Sequence, residues 1–138
     1  MQKIILDTNI LVSALISHAI PSKVLYDLVL DEKISLCLSE EVYSEYIEVL
    51  NRNKFTKYPD FKLSADVVLT RIREIAVFYS IDRKVDVLSD ISDNKFLELA
   101  LSCSADYLIT GNIQDFQIKE YHNTLIMTPR EFWTHFNF

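Results

Sequence analysis

Apolar residues along this chain fall in short blocks that alternate between unbroken runs and helical spacing. Residues 2–6 (QKIIL) read as a short buried strand with Asp7 at its carboxyl end. Residues 9–16 (NILVSALI) are apolar almost all round, which predicts a core helix. Pro21 closes that segment, and 22–32 reads as a second helix capped by Ser22. Residues 34–38 (ISLCL) predict a second strand, after which Ser39 caps a helix over 40–52. The stretch 51–62 carries Arg52, Lys54, Lys57 and Lys62 against Asp60 alone and reads as an exposed basic connection. Ser64 is placed to cap a helix running to 79. After the polar stretch 82–92 come a helix over 93–104, a strand at 106–110 and a strand at 124–127. Pro129 is suited to start the last helix, 129–136, because its missing N–H is not needed there.

Strands alternating with helices predict an α/β domain whose mainly parallel sheet is covered on both faces. In such sheets ligands gather beyond the carboxyl ends of the strands, where the strand order reverses. Asp7 and Thr110-Gly111-Asn112 both sit just past predicted strand ends.

Composition narrows the choice. The 138 residues, 49% of them hydrophobic, suit one domain spanning 1–138 with a real core. The single Gly111 excludes a phosphate loop or a dinucleotide fingerprint, since both need several glycines at fixed offsets. Cys37 and Cys103 form no CxxC pair and read as reduced, half-buried thiols. Asp7 interrupts the opening apolar run after Ile4-Ile5-Leu6, too early for a signal peptide. No segment reaches the roughly 18 apolar residues of a membrane span, so a cytoplasmic location and no membrane partner are expected. The net charge of −6 counts against nucleic-acid binding. That objection weakens if the acids gather to hold cations.

Four acids carry the candidate chemistry, and each has a plain structural reading as well. Asp7 opens Asp7-Thr8-Asn9 between strand and helix, where an N-cap needs no chemistry. Glu45 lies about 40° outside the apolar arc of its helix, so it is the acid there nearest the protein body. Asp93 begins a helix and shares the face of Phe96, Leu97 and Ala100, although an acid also suits a helix N-terminus for its dipole. Asp90, three residues earlier, is an outer participant or simply loop. Asp115 follows Thr110-Gly111-Asn112, a composition that turn chemistry alone explains. Gathering four such charges is strongly unfavourable without cations between them, and hard divalent ions, Mg²⁺ or Mn²⁺, suit oxygen ligands best.

The order Leu6-Asp7-Thr8-Asn9, Glu45 within a helix, Asp93-Asn94-Lys95-Phe96-Leu97-Glu98-Leu99-Ala100 and Asp106-Tyr107-Leu108-Ile109-Thr110-Gly111-Asn112 resembles the PIN-domain nucleases. It is most similar to the group of predicted toxin components of bacterial toxin–antitoxin pairs, of which the VapC proteins are relatives. The likeness covers nearly the whole chain, including Met127-Thr128-Pro129-Arg130-Glu131-Phe132. It implies a three-layer α/β/α, Rossmann-like PIN fold. It also implies that the acids matching Asp7, Glu45, Asp93 and Asp115 surround one or two Mg²⁺ or Mn²⁺ ions and act on RNA to leave a 5′-phosphate. Thr8 or Asn9 and Thr110 would support the site. Many members carry an acid where Asn112 stands, and several carry Asp-Pro-Asp-Asp where this chain has Asp90-Ile91-Ser92-Asp93. The first departure implies one well-held metal and a second that binds with substrate.

The resulting expectation is a metal-dependent endoribonuclease, with Asn112 as a neutral neighbour of the acids and Arg52, Lys54, Lys57 and Lys62 as candidate RNA contacts. The competing reading is an inactive module that binds RNA or protein, motivated by Asn112. An aspartyl-phosphate phosphatase fits poorly, because the position two residues beyond Asp7 is Asn9. A serine hydrolase lacks GxSxG. His18, His122 and His135 show no ligand spacing. The resemblance further implies a small antitoxin partner and a homodimer. Phe132, Trp133, Phe136 and Phe138 crowd the C-terminus as core or interface.

Overall fold

The computed structural model describes residues 1–111, 116 and 118–136. Four short strands, β1 (Lys3–Leu6), β2 (Ser35–Leu38), β3 (Val77–Phe78) and β4 (Tyr107–Ile109), run parallel. They are joined by β5 (Glu120–Tyr121) and β6 (Thr124–Met127), β6 running parallel to β4 and β5 antiparallel to β6. The sheet order is β3-β2-β1-β4-β6-β5. Helices pack on it to give the three-layer α/β/α arrangement of the PIN fold. The central strands bury Ile4, Ile5, Leu6, Leu108 and Ile109 completely, as continuous apolar runs do when both faces of a sheet are covered.

The chain leaves β1 in one direction across the sheet to β2 and β3, then returns to β4 on the other side of β1. The order therefore reverses between β1 and β4, which puts the crevice expected of such sheets beside the carboxyl ends of these two strands.

Between the strands run α1 (Thr8–Ile16), α2 (Ile20–Lys23) and a π-helical segment, Val24–Val29. They are followed by α3 (Glu40–Leu50), α4 (Phe61–Ile75), α5 (Asn94–Cys103) and α6 (Pro129–Phe136). The chain turns by 105° between α1 and the helix that follows it. Among the described residues no single helix is long and apolar enough to cross a membrane.

Several local expectations need correction. Pro21 does not end a segment but sits in the first turn of α2, which starts at Ile20 after Ala19, so Ser22 is not a cap. Its fixed φ and missing N–H suit that position. Ser64 lies inside α4, which begins at Phe61 after Asp60 in a left-handed conformation (φ 62°). Burial of Phe61, stacked on Phe55 at 4.8 Å, starts that helix earlier than any polar cap would. The segment expected to complete α4 instead forms β3, whose two residues are too short for alternation to reveal. By contrast Ser39 caps α3 as expected, accepting from the Val42 amide at 3.1 Å. Cys37 and Cys103 are free and fully buried rather than half-buried. The thiols hydrogen-bond to each other, which holds Cys37 below and Cys103 above the ordinary thiol range.

Candidate active site

Asp7 is the first residue past β1, and its amide donates to Ile109 O of β4 at 2.9 Å. It sits on the seam where the sheet reverses, and only 7% of it is exposed. Thr110, the first residue past β4 and fully buried, donates its hydroxyl to Asp7 Oδ2 at 2.7 Å. Burial pushes the Asp7 carboxyl above the usual carboxylate range, the Thr110 bond opposes that shift, and the nearby charge of Glu45 adds to it. Among the described residues Asp7 has no cationic partner.

Glu45 reaches this seam from the middle of α3. Both of its oxygens are engaged: Oε2 accepts the Thr8 hydroxyl, and Oε1 holds the Lys95 ammonium at 2.5 Å. Side-chain exposures of 22% for Glu45 and 14% for Lys95 make this a half-buried pair. Beneath the acids lies Tyr46, wholly buried, whose hydroxyl donates to Leu6 O at 2.6 Å. That bond fixes α3 to the end of β1, one residue before Asp7. Burial, then the charges of Asp7 and Glu45, push its phenol well up.

Asp93 ends a 3₁₀ turn, Ile91–Asp93, and leads directly into α5. It is half-buried, above the buried Phe96, Leu97 and Ala100, and its amide donates to Asp90 O at 3.0 Å. Asp90 itself accepts from the Ser92 amide at 3.0 Å and the Ser92 hydroxyl at 2.7 Å, which holds its carboxyl below the usual range. Those bonds give Asp90 a turn-capping role. Asn94, next to Asp93, is buried and accepts from the Leu88 amide at 2.9 Å, tying the preceding loop to α5.

The structure thus brings Asp7 and Glu45 together, with Thr8 and Thr110 bonded to them, and sets Asp93 at the head of α5. Asn112 and Asp115 lie outside the described residues. Among the described residues no three His, Cys, Asp or Glu side chains gather closely enough to hold a metal ion. Lys95 was not singled out from the sequence. Its only signal there is a lone cation between Asp93 and the apolar face beginning at Phe96.

Asn9 is exposed and lines a cleft that starts at this seam. Of the basic candidates, Arg52 pairs with Glu48 at 2.9 Å and Lys62 with Asp66 at 2.7 Å. Lys54 and Lys57 lie over the rings of their neighbours Phe55 and Tyr58. His135 bonds the Tyr107 hydroxyl at 2.9 Å, and His122 occupies the turn between β5 and β6.

The PIN-domain family model matches residues 3–114, from the first residue of β1 to just past Thr110. The chain belongs to the PIN-domain family. It is 30% identical, over an alignment of 139 positions, to an uncharacterised protein of Methanocaldococcus jannaschii, covering 94% of this chain and 88% of that one. Its fold is similar to a crystal structure of VapBC2 from Rickettsia felis bound to a promoter DNA fragment, with a TM-score of 0.58 and 17% identity over 92% of this chain and 98% of that one. It is also similar to VapBC-1 from nontypeable Haemophilus influenzae, with a TM-score of 0.54 and 18% identity over 84% and 91% of the two chains. In this PIN domain the two neighbouring carboxylates offer hard oxygen donors. The buried, uncompensated Asp7 is a place where a divalent cation would relieve both desolvation and repulsion from Glu45.

Proposed function

We propose that this PIN domain is a divalent-metal-dependent endoribonuclease, the toxin of a toxin–antitoxin pair acting in the cytoplasm. The observation that carries the proposal is Asp7: a carboxylate buried at the reversal point of the sheet, held by Thr110, next to a second acid and, among the described residues, without a cationic partner. Such a group is unfavourable as a structural element and useful as an ion ligand. Asp7 and Glu45 would hold Mg²⁺ or Mn²⁺ directly, with Asp93, at the head of α5, acting through a bound water and Asp115 completing the set by its match to the family. Bound there, the ion would make a water more acidic and offset negative charge on the scissile phosphate and its leaving oxygen.

The chain's own residues do the positioning. Thr110 fixes one Asp7 oxygen, Oδ2, by donating its hydroxyl to it. Thr8 and Lys95 hold Glu45 in one rotamer. Repulsion between these carboxylates and a phosphate disfavours phosphate entry until a cation is present. The fold shared with two VapBC structures supports an antitoxin partner, and a homodimer is a further part of this proposal.

The test is incubation of purified protein with single-stranded RNA in Mn²⁺, in Mg²⁺ and with EDTA. Cleavage that needs metal and disappears in both Asp7→Asn and Asp93→Asn is expected. Equal cleavage by the wild type and the two variants would mark a contaminant and sink the proposal. RNA binding without cleavage under every metal condition would favour the inactive module that Asn112 suggests.

A further inference from the structure

The cleft that begins at Asn9 and Gly111 runs from the acids towards the bend after α1 and the start of α6, with a volume of about 490 Å³. That size suits a nucleotide-scale ligand. His18 and Lys23 line one side of it, and Thr128 and Arg130 line the other. No acid lines it. A Cβ at Gly111 would meet Ile10 Cδ1 only at 3.9 Å, so packing does not require glycine there. The missing side chain leaves the cleft open next to Thr110.

The charge pattern distinguishes this cleft from the rest of the surface. Of the chain's 14 lysines and arginines, seven pair with acids among the described residues. Lys23 and Arg130 are not among them, and both are exposed. Lys23 Nζ lies 5.9 Å from the Trp133 ring centroid, which places the ammonium without neutralising it. On a protein with a net charge of −6, a groove that carries Lys23 and Arg130 and, among the described residues, no acid is a local reversal of sign. Its mouth is the sheet edge that carries Asp7.

We propose that this cleft holds the backbone of single-stranded RNA on one side of the acids, with Lys23, Arg130 and His18 against its phosphates. The proposal rests on the nuclease reading and adds the path of the strand. Polar Asn9 and Thr128 offer hydrogen bonds to sugar and phosphate, and the acids meet the next phosphate along the chain. The strand enters a field that attracts it before it meets one that repels it. That order lets an acidic protein bind a polyanion. Arg52 and Lys62, already paired with acids, contribute less to this path.

The experiment measures fluorescence anisotropy of a labelled single-stranded RNA against salt concentration, in an Asp7→Asn background that cannot cleave it. Lys23→Gln with Arg130→Gln is expected to weaken binding about tenfold or more. The same pair of changes should reduce the log–log salt slope by roughly 1.4, about 0.7 per lost phosphate contact. Lys33→Gln, which removes a charge paired with Asp31 elsewhere, controls for net charge. Lys23→Arg with Arg130→Lys should keep the binding. Unchanged affinity in the double variant, or an equal loss in Lys33→Gln, overturns the cleft. So does a double variant that keeps RNA and instead loses polyglutamate, which would make the cleft a protein site. The two proposals fail separately. Cleft-dependent binding by a wild type that never cleaves removes the nuclease and keeps the cleft, whereas metal-dependent cleavage with cleft-independent binding does the reverse.

Discussion

Thr110 Oγ1 donates to Asp7 Oδ2 at 2.7 Å, so the residue just past β4 holds the carboxylate just past β1. The bond crosses the one seam where the sheet order reverses, and both partners are buried. A hydrogen bond to a charged group in such a place is worth roughly 1.5–3 kcal/mol. Thr110→Val keeps the shape and removes the donor. It should lower metal-dependent cleavage by about tenfold to a hundredfold, with a rise in the metal concentration needed. Thr110→Ser should retain most of the activity; if Val and Ser variants cleave equally well, the hydroxyl does not position Asp7.

The raised pKa of Asp7 has a consequence for stability. Burial favours its protonated form in the folded state, so the protonated group contributes stability that is present at low pH and is lost as pH rises through its folded value. The metal-free protein is therefore expected to have a lower Tm at neutral pH than Asp7→Asn, and the gap should close on acidification. Added Mn²⁺ should raise the Tm of the wild type and not of Asp7→Asn. A thermal melt series with and without metal tests this, and a wild type more stable than Asp7→Asn without metal would contradict it.

Lys95 and Glu45 form a half-buried pair that joins α5 to α3. Removing the cation leaves Glu45 uncompensated beside Asp7. Lys95→Met should cost about 1–2 kcal/mol in metal-free protein, between the values for exposed and buried pairs. Divalent metal should restore most of that loss by supplying the missing positive charge. Chemical denaturation in EDTA and in Mn²⁺ separates the two conditions, and a loss identical in both would make the pair purely structural.

Tyr46 supports the site from below through its bond to Leu6 O. Tyr46→Phe preserves the packing of the ring and removes a buried donor, which should destabilise the protein by about 1–3 kcal/mol. Because the bond ties α3 to the strand end before Asp7, activity should fall more steeply with temperature than in the wild type. Urea denaturation with a parallel temperature profile of cleavage would show both effects; unchanged stability would mean that the Leu6 carbonyl finds another partner.

Much of this architecture was legible in the chain itself. Ile4-Ile5-Leu6 and Tyr107-Leu108-Ile109 are unbroken apolar runs that only a doubly covered sheet accommodates, and Ser39 before α3 has the residue type that a helix start requires. Asp7, Glu45 and Asp93 could be picked out because each acid stands at a strand end, a helix flank or a helix start, where local position restricts its direction. The lengths of β3 and β5 escaped the pattern, since two residues carry no periodicity and form strands only because a neighbour offers free hydrogen-bonding groups.

The sequence by itself determined that Asp7 would lie at the end of a buried strand. The folded chain decided what surrounds it: Thr110 from 103 residues away, Glu45 from α3 and, through Glu45, Lys95 from α5. It also decided which cations share one cleft, bringing together Lys23 of α2 and Arg130 of α6, whereas the pairs of Arg52 with Glu48 and of Lys62 with Asp66 are local, one helical turn apart. The physical reason is range. Strand and helix preferences act over a few neighbouring residues, whereas burial and pairing between distant elements, such as Lys95 with Glu45, depend on contacts that exist only once the strands have been ordered side by side.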